Sequence, residues 1–571
     1  MIKKNRILFV AALLFVVIGL VIWRLVSVQI LQRETWSRRA EAIHEQKIKI
    51  PPERGRIYDR NGQLLAFNRE AYQVAVDSYN MTKPEMLIDI LIDELRIQRR
   101  KLESLVYRES YFTWIDRSVS YETGKRIKRR AEHAGIDGLI LIESNKRVYP
   151  RGTLAGPIVG FTGVDGDGLA GIEYSMNDSL DGEPRVQRII YGANRYPFRR
   201  KTLVEGRSGY DVYLTLDLRI QYILKKELQQ GVEKFKAKRA WGVVLNPKNG
   251  AVLGMAANQG YDPNSYSNYP PEERKITPIS NSFEPGSVLK VFSGLAALDY
   301  GTVEPDTMVN GDSPIYLYNH PINNAQYRDY GVVPFSEVIK HSINTGIIRV
   351  SQDLGERNLY NFLNKVGFGR KTGIELPGEQ SGSLKHYTDW SGLSIGSIPI
   401  GQGISVTAIQ LAAKMAGVAS GGKMVKPTIV SKVQTPEGNE VTSLSGKEPT
   451  GGLFASPESV REMKNMLRSV VKDGTGQDAA IPGYSVSGKT GTAQKAIAGG
   501  YSQDKYISSF VGFFPKENPD YLILIVFDEV GTTPVWGGAT AGKVFREVGE
   551  RIITTLDKEE KKAGDKKQQG L

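Results

Sequence analysis

The stretch NSFEPGSVLKVFSG, residues 281–294, decides how the second half of the chain is read. Pro285-Gly286 breaks whatever precedes it, and Ser287 follows at once. The next run, VLKVFSGLAAL, is apolar enough to be a buried helix, yet it carries Lys290 three residues after the serine. Residues three apart share a helix face, so the spacing predicts a hydroxyl beside an amine at the start of that helix. A serine hydroxyl is a weak nucleophile until a nearby base takes its proton. A lysine can be that base only if its pKa falls, which burial and a neighbouring cation both cause. Free backbone N–H groups at the helix start would help hold a developing oxyanion at Ser287. Taken alone, the pair leaves two readings open: a nucleophile with its base, or a serine that caps a helix.

The same spacing recurs at Ser420/Lys423, Ser469/Lys472 and Ser502/Lys505. The first of these runs through Gly421-Gly422, a poor helix interior; the second falls on an amphipathic surface helix and the third in a polar loop. A second cue is Ser342-Ile343-Asn344 in IKHSINTGIIRV, where a hydroxyl and a carboxamide two residues apart can reach one cleft from a loop between helices. Ser78-Tyr79-Asn80 shows that this spacing also arises by chance. His341 beside it invites a Ser–His reading, but with five histidines and no acid pattern nothing supports one. The third cue, Lys-Thr-Gly, occurs twice. Lys371 sits in GFGRKTGIELPGE, crowded by glycine and proline as in a loop, whereas Lys489 sits in the strand-like YSVSGKTGTAQK. A strand presenting Lys489, Thr490 and the side-chain-free Gly491 would line one wall of a cleft. Its lysine and hydroxyl would bind a carboxylate, and the glycine would admit a substrate backbone.

The rest of the chain sets the context. It has 571 residues, a net charge of +13 and no cysteine, which excludes disulfides, a thiolate nucleophile and cysteine metal sites. The positive charge is dispersed and no nucleic-acid module is visible, so a solvated basic face is preferred to nucleic-acid binding, with an anionic envelope surface as the second choice. No metal motif appears and no cofactor is expected. Residues 7–23, ILFVAALLFVVIGLVIW, carry no charge and follow Lys3, Lys4 and Arg6. With Leu25, Val26 and Val28 the run approaches the roughly 20 residues of a spanning helix. It is read as an uncleaved anchor with a cytoplasmic N-terminus, since no small-x-small cleavage site follows. A charged helical stretch is expected over 29–49, a tight turn at Asn61-Gly62, helices over 86–133, short strands over 138–209, and a hairpin turning at 247–250. Helix and hairpin come first, helices follow, and strands and a helix come last. That order suggests an antiparallel sheet completed by both ends of one large domain. Its last helix is expected over about 539–555, with a disordered charged tail over 557–571.

The three motifs in this order match the Ser-x-x-Lys, Ser-x-Asn, Lys-Thr-Gly set of penicillin-binding proteins and class A β-lactamases. RGRIYDRNG (54–62), GLAGIE (168–173), LTLD with Ile220-Gln221, FEPGSVLK, GQGISVTAIQLA (401–412) and SGKTGTAQK extend the resemblance to nearly the whole chain. The sequence resembles a class B penicillin-binding protein, a peptidoglycan D,D-transpeptidase. GGYSQDKYISSFVGFFP and VWGGATAGKVF resemble the division-type, FtsI-like branch, although Trp536 stands where relatives often have tyrosine. The resemblance implies a multidomain α+β fold: a cytoplasmic 1–6, an anchor over 7–28, an extended α+β pedestal over 29–210, and a transpeptidase domain over 211–556. In that last domain an antiparallel sheet is flanked by helices and joined to an all-helical part. The resemblance also implies that Ser287 attacks a stem peptide ending in D-Ala-D-Ala. Lys290 would be the base, Ser342 and Lys489 proton carriers, and the N–H groups of Ser287 and Thr492 the oxyanion hole. Asn344, Thr490, Gly491 and Thr492 would bind substrate. Implied partners are stem peptides, β-lactams and a SEDS-family glycosyltransferase among other envelope membrane proteins. Elongation- or sporulation-specific roles remain as alternatives. A β-lactamase would need neither pedestal nor anchor; a silent scaffold would be expected to lose Lys290 or Lys489. A β-lactam sensor would carry more cytoplasmic machinery, and a bifunctional polymerase would need more chain before residue 210.

Overall fold

The computed structural model describes residues 2–34, 45–50, 52–191, 197–443, 451–497 and 500–569. The N-terminal helix Ile2–Val26 runs on into a π-helical turn, Ser27–Leu31. Its apolar span, Ile7–Leu31, is the one helix among the described residues long and apolar enough to cross a membrane. Of the expected helical stretch 29–49, residues 35–44 lie outside the described residues, and Glu45–Ile50 is a strand. The alternation in EQKIKI has a period of two, which suits a strand. This strand pairs antiparallel with Arg185–Tyr191, which pairs in turn with Pro197–Val204. Residues 1–53 and 181–209 form one compact unit; 54–180 and 210–571 form the other.

Within the larger unit, one sheet joins regions far apart in sequence. Asp211–Leu214 pairs antiparallel with Val430–Gln434 and parallel with Ile57–Tyr58. The turn to the next strand, Leu64–Val76, falls at Asn61-Gly62, where Gly62 takes a left-handed φ of 77°. Residues 57–148 share a sheet with 211–214 and 430–443, whereas 45–50, 185–191 and 197–204 make their own. Two of the quoted motifs meet in the larger unit: the Arg54 Nε and Arg147 Nε each donate to the fully buried Glu173 carboxylate at 2.7 Å. Helices Pro84–Leu95, Arg99–Val106 and Tyr121–Ala134 occupy the region read as helical, but Thr113–Ser120 interrupts them as a strand. Its buried Thr113, Ile115 and Val119 fall at odd positions, the signature of a half-buried strand.

The site lies on a second, five-stranded sheet: β1 (Arg239–Leu245), β2 (Val252–Ala257), β3 (Ser487–Ile497), β4 (Gly500–Phe514) and β5 (Tyr521–Asp528). Its order is β2-β1-β5-β4-β3, antiparallel throughout, so both ends of the domain do complete it and β3 is an edge. Helices Leu218–Phe235 and Lys543–Gln569 cover one face, with Leu224, Leu228, Val544 and Phe545 packing on Ile523, Ile525 and Phe527. The last helix does not stop near 555. The stretch expected as a disordered tail continues as helix to Gln569, consistent with its many Lys, Glu and Gln residues and the absence of proline. The helical part holds Lys290–Asp299 at its centre, buried over every residue from Lys290 to Ala297. Gly294 abuts Ile339, Phe335 and Met463, so that helix has no free face.

Thr215 joins the two sheets. Its buried Oγ1 donates to the carbonyl of Val252 at 2.8 Å and lies 3.0 Å from that of Thr428. Thr215→Val should destabilise the protein by about 1 kcal/mol, read as a lower urea midpoint at unchanged slope.

Candidate active site

Ser287 sits in a single 3-10 turn, Gly286–Leu289, that hands over to the α-helix at Lys290. The turn is held from two sides. Gly286 N–H donates to Gly401 O at 3.1 Å, and Gly401 approaches so closely that a Cβ on it would stand 2.0 Å from Gly286 O. Gly401 also has a φ of 84°, so only glycine fits there. On the other side lies β3, with the Thr492 carbonyl oxygen 2.8 Å from where a Gly286 Cβ would be.

Lys290 is fully buried, and its Nζ reaches three acceptors on the Ser342–Asn344 loop. It donates to Ser342 O (2.5 Å) and Asn344 Oδ1 (2.6 Å), and Ser342 Oγ is 3.1 Å away. The loop lies between helices Phe335–Lys340 and Asn344–Leu354, as expected. Ser342 adopts a left-handed φ of 58°, a conformation that costs a non-glycine residue about 1–2 kcal/mol. Both its carbonyl and its hydroxyl lie within reach of one amine. From β3, the equally buried Lys489 donates to the same Ser342 Oγ at 2.9 Å and to Thr490 O at 3.2 Å. One hydroxyl thus lies between two buried lysines.

Burial pushes both amines down. Lys290 falls well below the ordinary lysine value, through desolvation first and the nearby Lys489 charge second. Lys489 is lowered by burial to about 7. Two ammonium groups sharing one hydroxyl in a dry site repel each other, and the Lys489 charge acts on Lys290 in this way on top of its burial, which favours a neutral Lys290. Its two short contacts would use both N–H groups of a neutral amine and leave the lone pair to accept a proton.

A cleft of about 550 Å3 opens over this group, lined by Ser287, Ser342, Asn344, Thr490 and Thr492 among others. Of the sequence-derived candidates, Lys290 and Lys489 lie buried beneath it, and Gly491 takes no part in its lining. The space a side chain would fill at Gly491 is taken by Ser509 Oγ (2.3 Å), Pro285 O (2.9 Å) and Val288. The glycine thus lets β3 close on the nucleophile turn, and it does not line the cleft. Both ends of the Asn344 carboxamide are engaged, Oδ1 by Lys290 and Nδ2 by Asn323 O at 2.8 Å. Three further contributors went unread. Asn323 pins Asn344, Thr475 Oγ1 meets Thr490 Oγ1 at 3.0 Å, and Gly537 N–H donates to Thr492 Oγ1 at 3.1 Å. Only the Gly-Thr-Gly and Gly-Gly turns around Thr475 and Gly537 left a trace in sequence. Of the rejected candidates, His341 lines the cleft and the others lie elsewhere. His341 Nε2 faces Glu337 at 3.0 Å. Lys371 is exposed on a loop whose Thr372 and Gly373 donate to Glu379. Ser420 Oγ donates to Pro247 O, Ser469 lies on helix Pro457–Asp473, and Ser502 is on β4, where a loop was expected.

The lysines carry a stability signature. Unfolded Lys489 is charged up to pH 10.4, whereas folded Lys489 loses its proton near 7. Between those values the unfolded state holds the extra proton, so stability rises with pH, by up to about 1.4 kcal/mol per unit for one group. Chemical denaturation from pH 7 to 10 should show this rise, and Lys489→Met should flatten it.

The penicillin binding protein transpeptidase domain model matches residues 240–550, and the penicillin-binding protein dimerisation domain model matches 49–214. Stage V sporulation protein D of Bacillus subtilis is 30% identical over 95% of this chain and 85% of its own length. Peptidoglycan D,D-transpeptidase FtsI of Buchnera aphidicola is 28% identical over 96% and 95%. The crystal structure of penicillin binding protein 3 from Mycobacterium tuberculosis complexed with aztreonam superposes with a TM-score of 0.69 at 28% identity, covering 89% of this chain and 97% of that one. Two lysines around one serine hydroxyl, beneath a serine-bearing cleft, and a match that extends through both domains lead to one conclusion: the chain belongs to the penicillin-binding protein transpeptidase family.

Proposed function

We propose that this protein is a peptidoglycan D,D-transpeptidase that cross-links stem peptides ending in D-Ala-D-Ala in septal wall synthesis and is acylated by β-lactams. The observation that carries the reading is the placement of Ser342 Oγ between Lys290 and Lys489 below the cleft that Ser287 lines.

Ser287 Oγ attacks the penultimate D-alanine carbonyl and passes its proton to the Lys290 lone pair. The N–H groups of Ser287 and Thr492 hold the oxyanion. The C–N bond breaks, and the proton returns through Ser342 and Lys489 to the departing D-alanine. Thr490 and Thr492 hold the substrate's terminal carboxylate, while the second N–H of Asn344 faces the substrate amide. An amine of a neighbouring stem peptide then attacks the acyl-serine, gives up a proton and releases Ser287 Oγ–H. Because β3 is an edge strand, its outward backbone groups can pair with an extended peptide. A β-lactam is attacked in the same way, and its ester on Ser287 persists.

The helix Ile2–Val26 anchors the protein, with its N-terminus in the cytoplasm and residues beyond 31 outside. A SEDS-family glycosyltransferase would contact the anchor and the region up to 210. The sporulation name belongs to one relative; nothing in the cleft favours that role over division.

Incubating the full-length protein with benzylpenicillin should give a mass adduct that peptide mapping assigns to Ser287 and that Ser287→Ala abolishes. Rapid drug turnover without an adduct would point to a β-lactamase. For the partner, a co-purified glycosyltransferase should survive dilution, and substitutions in 54–180 should change its polymerisation rate. Dissociation together with an unchanged rate would remove the partner from the reading.

A further inference from the structure

Glu284 lies three residues before Ser287, directly after the short strand Ser282–Phe283, and the mechanism above gives it no role. Its Oε1 accepts two hydrogen bonds, from Gly403 N–H at 2.9 Å and from Tyr501 O–H at 3.2 Å. Its Oε2 is buried and has no hydrogen-bond partner among the described residues. Burial and the adjacent carboxyl push the Tyr501 pKa up to about 12, so the phenol remains a donor through the working range.

One donor belongs to the Gly401–Gly403 wall of the nucleophile turn, and the other to β4, the strand paired with its second wall, β3. Gly403 is on the loop whose Gly401 O accepts from Gly286 N–H. Tyr501 is on β4, opposite Ala496 of β3, the strand that carries Lys489 and Thr492. Between these walls sits the turn itself, with Gly286 in contact range of both the Gly401 loop and the Thr492 backbone. A single oxygen at Glu284 therefore ties the Gly401–Gly403 loop, which holds the Ser287 turn, to β4, the strand paired with the β3 that carries Thr492.

The geometry points to Glu284 as a positioning residue that sets the separation of the Ser287 and Thr492 N–H groups, the two donors assigned to the oxyanion. This inference rests on the transpeptidase reading. Such a clamp acts where charge develops on the oxygen, so it governs the acylation step and leaves ground-state binding nearly untouched. The requirement is an acceptor atom in Oε1's place, so glutamine should serve and alanine should not.

Full-length protein in detergent, mixed rapidly with a fluorescent penicillin, separates the acylation rate constant from the Kd of the first, reversible complex. Glu284→Ala should slow acylation about 10- to 100-fold, the range a misplaced catalytic group produces, with Kd nearly constant. Tyr501→Phe, which keeps the ring and loses one donor, should slow acylation in the same direction, and it decides the question if Glu284→Ala does not fold. Glu284→Gln should restore most of the rate lost in Glu284→Ala. Wild-type acylation in Glu284→Ala, a loss confined to Kd, or a Glu284→Gln as slow as Glu284→Ala would each overturn the clamp. If the wild type formed no adduct, the transpeptidase reading would fail first. Amide exchange at Gly403 would still test the clamp: protected in wild type and Glu284→Gln, faster in Glu284→Ala if the clamp holds, and equal in all three if it does not.

Discussion

A buried lysine amine with no carboxylate partner among the described residues is the constraint around which this domain is arranged. Among the described residues Lys290 reaches only neutral acceptors, all three on the Ser342–Asn344 loop and two of them at 2.5 and 2.6 Å. A carboxylate in their place would hold the amine charged and useless as a base. Neutral oxygens satisfy its N–H groups without restoring its proton. The fully buried helix behind it removes water, the other means of keeping the charge. The left-handed φ of Ser342 follows from the same demand. One residue offers its carbonyl and its hydroxyl to one amine, and the backbone bends to allow it.

The second lysine narrows the solution further. Lys489 comes from the edge strand of the sheet, Lys290 and Ser342 from the helical part, and they meet at one hydroxyl. The cleft is therefore the seam between sheet and helices, and close backbone packing keeps the seam narrow. Gly491 gives up its side-chain space to Pro285, Val288 and Ser509, and Gly401 fits against Gly286. These glycines bring the strand and the loop onto the nucleophile turn with no side chain between. The site has little tolerance for movement, which is why a hydrogen-bonded clamp such as that at Glu284 has something to hold.

The chemistry was more legible in the sequence than the architecture. Ser287, Lys290, Ser342, Asn344 and Lys489 could be picked out because three motifs, each ambiguous alone, occur in one order, with a lysine on an apolar helix and a Lys-Thr-Gly in an alternating strand. The side chains that hold them, Asn323, Thr475 and Glu284, are ordinary polar residues in loops, and only three-dimensional proximity gives them meaning. Gly491 was placed on the right strand but given the wrong neighbour, because the direction in which a missing Cβ would point depends on the pleat and register. The strand and the strand pairing that went unread have the same origin. Ile57–Tyr58 and Val430–Gln434 lie in one sheet across more than half the chain, and no local pattern encodes that pairing. The strand Thr113–Ser120 is short and sits among helices, so its alternation was absorbed into a helical reading.

Function and stability pull against each other at this site. Each amine that desolvation drives toward neutrality is an amine the unfolded chain would hold charged in water, so the property that makes a base near neutral pH also weakens the fold there. The surrounding structure offsets this with an extensive apolar core, in which the helix carrying Lys290 is enclosed by Phe335, Ile339 and Met463. The five-stranded sheet contributes on the other side, with β4 and β5 paired over eight consecutive residue pairs from Ile507 to Phe514. A smaller or looser domain could present the same three motifs, but it would let water reach Lys290. The amine would then keep its proton, and Ser287 would lose the base assigned to it. On this argument the size of the domain is a requirement of the chemistry, because two lysines must be kept dry within reach of a hydroxyl that faces an open cleft.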